Sequence, residues 1–314
     1  MKKILQFISA LVLIPTALSA CSKQEVDTVY TPVTTIGKTL LENNAGYVAR
    51  VYRDTSFVLA DGVTQTELHV QMMDGYIEQI YIIKANTKIP GVSLKVAMPF
   101  NSNEIADGWR KQTLTEMAGY LSKPHSRVVG MVNGDFWDVA NPIKPRGPVH
   151  RGGIIVSDVW NYSDRVPQQA LSFVAINDEG EMVIGDRKDY PSMKSSLVEC
   201  TGAGFMFLAK GEIIETTWTA LDPRTAIGHT DDGTVYLLTA DGRKTFGGAG
   251  LSYKHLAHIF KALGCTYGAN LDGGGSAQIL IRHPVANVYQ IRNSPADGTE
   301  RPVINSWAVT VNEY

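Results

Sequence analysis

Thr225-Ala226-Ile227-Gly228, then Asp231-Asp232-Gly233, then Val235-Tyr236-Leu237-Leu238-Thr239, reads as two strands joined by a tight reversal. Asp-Gly between apolar runs is a strong hairpin signal, because glycine supplies the positive φ the turn needs. The pairing it predicts is antiparallel. Similar short runs recur on both sides. Leu68-His69-Val70-Gln71-Met72 alternates apolar and polar residues. Ile80-Tyr81-Ile82-Ile83 and Val128-Val129-Gly130-Met131-Val132 are continuously apolar, as in strands covered on both faces. Residues 154–156, 172–176, 204–208, 278–281 and 306–311 add further strands. Two helices stand out. Thr113-Leu114-Thr115-Glu116 has capping-box spacing, with Leu114, Met117 and Leu121 on one face. From about Ser252, Leu256, Ile259, Phe260 and Leu263 form a helical stripe that Gly264 terminates. Many strands and few helices, without regular alternation, predict an α+β fold: a mixed, mostly antiparallel β-sheet core with a few packed helices. No long polar break follows residue 60, so residues 61–314 are expected to form one domain.

The N-terminus carries a different kind of signal. Met1-Lys2-Lys3 is positive, residues 4–14 are mostly apolar, and Leu18-Ser19-Ala20-Cys21 closes the segment. That order is a secretory leader, too short to span a bilayer as a helix of about 20 residues. Leu-Ser-Ala-Cys matches the bacterial lipobox. Residues 1–20 are therefore expected to be a lipoprotein signal peptide, with lipidation at Cys21 and export to the periplasmic or cell-surface side of a bacterial membrane. The alternative is an ordinary cleaved signal that precedes a cysteine. Residues 21–60, with Thr31-Pro32-Val33-Thr34-Thr35, read as a tether and lead-in segment.

The formal net charge is −2, and loss of Lys2 and Lys3 takes it to −4. A weakly acidic chain argues against non-specific nucleic-acid binding. Cys200 and Cys265 could pair outside the cytoplasm or be buried as small apolar groups. His255 and His258 lie on the second helix without an HExxH pattern, which favours packing or solvation over a metal.

Four segments rich in Gly, Asn, Asp and Arg adjoin strands, where a rigid sheet fixes polar groups. Val132-Asn133-Gly134-Asp135-Phe136-Trp137-Asp138 offers a carboxylate and rings that could face a sugar; it is also a plausible turn. Asp222-Pro223-Arg224-Thr225 sets an arginine at a strand start, suited to phosphate oxygens or to the surface. Ala240-Asp241-Gly242-Arg243 repeats that chemistry, and Gly247, Gly248 and Gly250 predict a mobile loop after it. Asn270-Leu271-Asp272-Gly273-Gly274-Gly275-Ser276 is the least ordinary. Three consecutive glycines suit a backbone that bends or approaches a ligand, and successive amides can form an anion nest. A bulged hairpin is the competing explanation.

In this order and spacing the four motifs resemble the phosphodiester glycosidase domain family. Asn133 to Trp137, Pro223 to Gly228, Asp241 to Arg243 and Asn270 to Ser276 carry the resemblance, and Glu300-Arg301-Pro302-Val303 with Asn305 looks like the family's closing segment. Asp135 and Trp137 depart from it, standing where the commoner form has Gly and Phe. The resemblance implies hydrolysis of a bond between a sugar's anomeric carbon and a phosphodiester oxygen, in a glycan or cell-surface polymer. It implies Asp272 or Asp241 activating water, with Asp135 or Glu300 as partner acid. Substrate and phosphate contacts are then expected from Asn133, Gly134, Trp137, Arg224, Thr225, Arg243, Asn270, Gly273, Gly274, Gly275, Ser276, Arg301 and Asn305. Such a carboxylate cluster could alternatively hold Ca²⁺ or Mg²⁺. Two other functions fit the same residues: a non-catalytic phosphoglycan-binding lipoprotein, and a phosphodiesterase cutting the phosphorus–oxygen bond of a non-sugar substrate.

Overall fold

The computed structural model describes residues 30–43, 47–140 and 142–312. The leader and Cys21 lie outside the described residues. An eight-stranded sheet has the order β1 (Val48–Ala60), β2 (Val63–Met72), β3 (Ile77–Asn86), β16 (Thr234–Ala240), β15 (Arg224–His229), β17 (Tyr267–Asn270), β13 (Met206–Ala209), β14 (Glu212–Ile213). One five-stranded sheet runs β11 (Met182–Asp186), β10 (Ser172–Asn177), β12 (Leu197–Ala203), β8 (Val149–Arg151), β9 (Ile154–Ser157). The other runs β19 (Tyr289–Ile291), β18 (Ile279–Arg282), β5 (Ser126–Asn133), β20 (Ser306–Asn312), β4 (Val92–Ala97). A short pair, β6 (Trp137–Asp138) and β7 (Lys144–Pro145), stands alone. Ladders are antiparallel throughout the described residues, so the sheets are not mixed, and β dominates the expected α+β fold.

The hairpin at residues 225–239 forms as read, β15 pairing β16 from Arg224 with Ala240 to His229 with Val235. Every residue of β16 is buried because both faces are covered. Val235 and Leu237 enter a central core shared by all three large sheets, and Tyr236 and Leu238 face a second core under the helices. That second core receives α1 (Thr35–Glu42) and α4 (Tyr253–Ala262). The stripe Leu256, Ile259, Phe260 and Leu263 is buried there, at roughly 1.5–3 kcal/mol per side chain. Ser252 and His255 cap α4 reciprocally, and Gly264 at φ +82° ends it. The helix α2 (Leu114–Leu121), with its predicted capping box, covers the other face of β5 and β20. A fourth helix, α3 (Tyr190–Met193), is one turn long.

The boundary expected at residue 60 is corrected: it falls in the turn of the β1–β2 hairpin, and residues 34–43 and 47–60 pack into the domain. Buried Asp54 fastens this region, accepting from the Tyr30 hydroxyl, the Val33 and Thr34 amides and the Thr34 hydroxyl. Burial raises its pKa, but these bonds outweigh that and hold it below the ordinary value. Cys200 and Cys265 are both buried and free, as small apolar groups.

Candidate active site

The end of β5, the starts of β15, β18 and β20, and the end of β17 converge on the 271–276 loop. Asn133 ties them together. Its Oδ1 accepts from Thr225 Oγ1 at 2.7 Å and the Gln278 amide at 3.0 Å, and its Nδ2 donates to the Asp272 carbonyl at 2.6 Å. Both Asn133 and Thr225 are buried, so the structure makes them scaffold where substrate contacts were expected. Gly134 has a steric reason: a Cβ there would collide with Asn305. Asn305 Oδ1 accepts the Asp135 amide at 2.8 Å.

Two carboxylates meet here. Asp135 is 2% exposed, and its Oδ2 accepts from the Gly147 amide at 2.7 Å. Burial, reinforced by the neighbouring Asp272, pushes its pKa up to about 8. Asp272 is half-buried. Burial raises it to about 6, although the Ser276 hydroxyl, Arg301, the Gly273 amide and the Trp137 indole all favour its charged form. Three buried atoms around this pair have no partner within the protein: Asp135 Oδ1, Asn270 Oδ1 and Asn305 Nδ2. Unpaired buried polar atoms are costly, and their concentration here marks a site organised for something other than stability.

Two arginines border the pair. Arg243 Nε lies 2.9 Å from Asp222 Oδ1, and its Nη2 lies 3.4 Å from Oδ2. Arg301 reaches Asp297 Oδ2 through Nε at 2.6 Å and Ser276 Oγ through Nη1 at 3.3 Å. A Cβ on Gly274 would press into the Arg243 guanidinium, and one on Gly275 would strike Arg301. The glycine run is therefore a bed for two guanidinium groups. It is not the expected three-amide nest, because the Gly274 amide donates to the Pro223 carbonyl and the Gly273 amide faces Asp272. Arg224 is scaffold too: Nε and Nη2 donate to the Leu251 and Ala220 carbonyls, and its guanidinium lies 4.5 Å above the Tyr253 ring. Trp137 borders the site with Lys111 Nζ 4.7 Å from its ring centroid.

Asp241 and Glu300 are not brought to the pair. Asp241, 1% exposed, accepts from the Ser294 amide at 2.9 Å and Asn293 Nδ2 at 3.3 Å. Glu300 accepts from the Thr115 amide in the first turn of α2. Their expected catalytic roles are corrected to a loop clamp and a helix cap. Asp222, Asp297 and Gln278 were missed. Gln278 pins residue 301 by bonding its amide and its carbonyl, and the Asp297–Arg301 spacing of four was the available signal. Among the described residues no three His, Cys, Asp or Glu side chains group as metal ligands. The nearby acids Asp222 and Asp297 are held by arginines, so these residues do not fit Ca²⁺ or Mg²⁺. His255 caps α4 and contacts Asp74, and His258 stacks on Tyr47, both packing roles.

The loop expected to be mobile is fastened from below. Buried Glu78 Oε1 accepts from the Ala249 and Gly250 amides, both at 2.9 Å. Burial lifts Glu78 to about 8, and Asp241 and Asp74 add to the rise. A raised carboxyl favours the fold fully below its unfolded pKa and loses that contribution as pH climbs through its folded one. Between about pH 5 and 8 the protein should therefore lose up to about 1 kcal/mol more stability per pH unit than Glu78→Gln. Urea titrations at several pH values check this; parallel curves would refute it.

Comparison with known proteins follows this geometry. A profile of the phosphodiester glycosidase family matches residues 126–310, more than half of the chain. The SPbeta prophage-derived uncharacterized protein YomE of Bacillus subtilis is 34% identical over 98 residues, 30% of this chain and 14% of that protein. The chain thus spans a small part of that relative's length. Among solved structures, the zebrafish N-acetylglucosamine-1-phosphodiester alpha-N-acetylglucosaminidase catalytic domain, auto-inhibited by its pro-peptide, is similar with a TM-score of 0.60 and 18% identity, covering 83% of each chain. A hypothetical protein from Synechocystis is similar with a TM-score of 0.63 and 16% identity, over 83% of this chain and 64% of that one. A putative exported protein of Burkholderia pseudomallei gives a TM-score of 0.56 at 12% identity, over 85% and 98%. These three share the fold. With the family profile covering the β5-to-β20 body that carries the Asp135–Asp272 pair and both arginines, the chain belongs to the phosphodiester glycosidase family.

Proposed function

We propose that the protein hydrolyses a sugar-1-phosphodiester in a glycan or cell-surface polymer outside the cytoplasm, held at a bacterial membrane through lipidated Cys21. The observation that carries the chemistry is the Asp135–Asp272 pair beside Arg243 and Arg301. Near neutral pH Asp272, raised to about 6, is mostly ionised and Asp135, raised to about 8, is mostly protonated. Environments that push two carboxyls apart assign a base and an acid. Asp272 takes a proton from water as the water oxygen bonds to the anomeric carbon. The carbon–oxygen bond to phosphate breaks, its electron pair leaves with the phosphate oxygen, and Asp135 supplies a proton there. Arg243 and Arg301 stabilise the departing charge. The leader motif supports the location.

The test is hydrolysis of a panel of alkyl glycosyl-phosphodiesters that differ in the sugar, run in ¹⁸O water. Label in the sugar hydroxyl supports the proposal. Label in the phosphate would mean attack at phosphorus, and binding without turnover would mean a phosphoglycan-binding protein. Arg243→Ala should lower kcat/KM by about 10²-fold with the fold intact by circular dichroism, since it removes a charge-assisted contact to the leaving phosphate. Unchanged kinetics would remove Arg243 from the mechanism.

A further inference from the structure

At the far end of β5 from the active site lies a second cavity, of about 460 Å³. Ser126, at the start of β5, lines it, while Asn133 at the other end anchors the catalytic pair. Seven steps along the strand separate them, about 23 Å at ~3.3 Å per residue. The cavity opens between β4 and β20 of one sheet and β8 and β12 of the other.

Its lining is cationic. Lys95, Lys123 and Arg151 face one acid, Glu199. Glu199 is already engaged: Oε2 accepts from the Val96 amide at 3.0 Å and Oε1 from the Gly152 amide at 3.2 Å. Burial pushes its pKa up, while these two amides, Lys95 and Arg151 favour its charged form; three cations still face this single acid. Arg151 is held in place, donating through Nε to the Val96 carbonyl and through Nη1 to the Asn101 carbonyl and Asn103 Oδ1. Arg151 is half-buried, and Glu199 is the acid that faces it.

The backbone at the rim is strained. Phe100 and Asn101 both have positive φ, at 60° and 53°, which non-glycine residues adopt only under constraint. Arg151 holds that conformation through the Asn101 carbonyl. Asn101, which also lines the cavity, keeps its Oδ1 buried in the wall without a partner. The cavity therefore offers cationic donors, the polar side chains of Ser126 and Asn103, and apolar surface from Leu121 and Ile154. Negative charge, hydroxyls and a small apolar face are what a charged sugar would present to such a lining.

We propose that this cavity is a second binding site, separate from the catalytic one, for an anionic sugar unit bearing a phosphate or a carboxylate. Lys95 and Lys123 meet the charge, Arg151 anchors the rim, and Ser126 and Asn103 meet sugar hydroxyls. The site does not depend on the catalytic reading, since no residue is shared.

The probes are glucose 6-phosphate, glucuronate and uncharged glucose, titrated into isotopically labelled protein and followed by backbone amide shifts. The expected result is perturbation of residues 95–103, 123–126 and 151–152 by at least one charged probe, with glucose weaker by about ten-fold or more. The two charged probes separate phosphate from carboxylate recognition. Lys95→Glu combined with Lys123→Glu should abolish these shifts while hydrolysis at the distant site is unchanged. Shifts confined to residues near Asp272, equal response to glucose, or undiminished shifts in the double variant would each overturn the proposal. Lys95→Arg with Lys123→Arg should keep binding, which separates a lost charge from a damaged fold.

Discussion

Asp272→Asn is expected to lower kcat/KM by about 10³-fold, because the amide can no longer accept the proton from water. The scaffold should survive the change. The Asp272 carbonyl and amide, which bond Asn133 and Gly134, belong to the backbone and are unaffected. In the parent enzyme kcat/KM should be bell-shaped. It should fall below about pH 6 as Asp272 takes up a proton and above about pH 8 as Asp135 loses one. The two groups interact, so the limbs belong to the pair. Steady-state kinetics across pH check both statements. An Asp272→Asn enzyme with more than a tenth of parental activity would exclude Asp272 as the base.

The second large effect concerns stability. Asn133→Ala should cost about 3–5 kcal/mol, because it leaves the Thr225 hydroxyl, the Gln278 amide and the Asp272 carbonyl without their partner in a buried space. Urea unfolding would read this loss directly, and thermal unfolding would show a fall in Tm on the order of 10 °C. Loss of activity with unchanged stability would show that Asn133 contacts substrate and is not a tie between strands.

Much of this was legible because the signals are local. Hairpin, capping box and α4 stripe all lie within about a dozen residues, and the motifs order themselves along the chain. The failures share a different cause. β1 resembles a tether in sequence because register shifts between Val48 and Arg50, Val51 and Arg53, and Val58 and Ala60 break the alternation of two. Asp241 and Glu300 look catalytic in sequence. Their partners lie far along the chain: Ser294 is 53 residues from Asp241, and Thr115 is 185 from Glu300. Arg224 likewise looks like a phosphate ligand until the Tyr253 ring and the Leu251 carbonyl are seen against it. Sequence proposes the chemistry of a side chain; its tertiary neighbours decide whether that chemistry is still free.

The Asp54 latch has a consequence for where the enzyme can work. It fastens the chain from Tyr30 onward to the domain. On the proposed anchoring, the nine steps of sequence from Cys21 to Tyr30 bound the distance between lipid and latch at about 30 Å. The catalytic body then patrols a thin shell above the lipid. A polymer strand must come down into that shell to be cut, and lengthening this stretch, with no change to the active site, should widen the set of chains within reach.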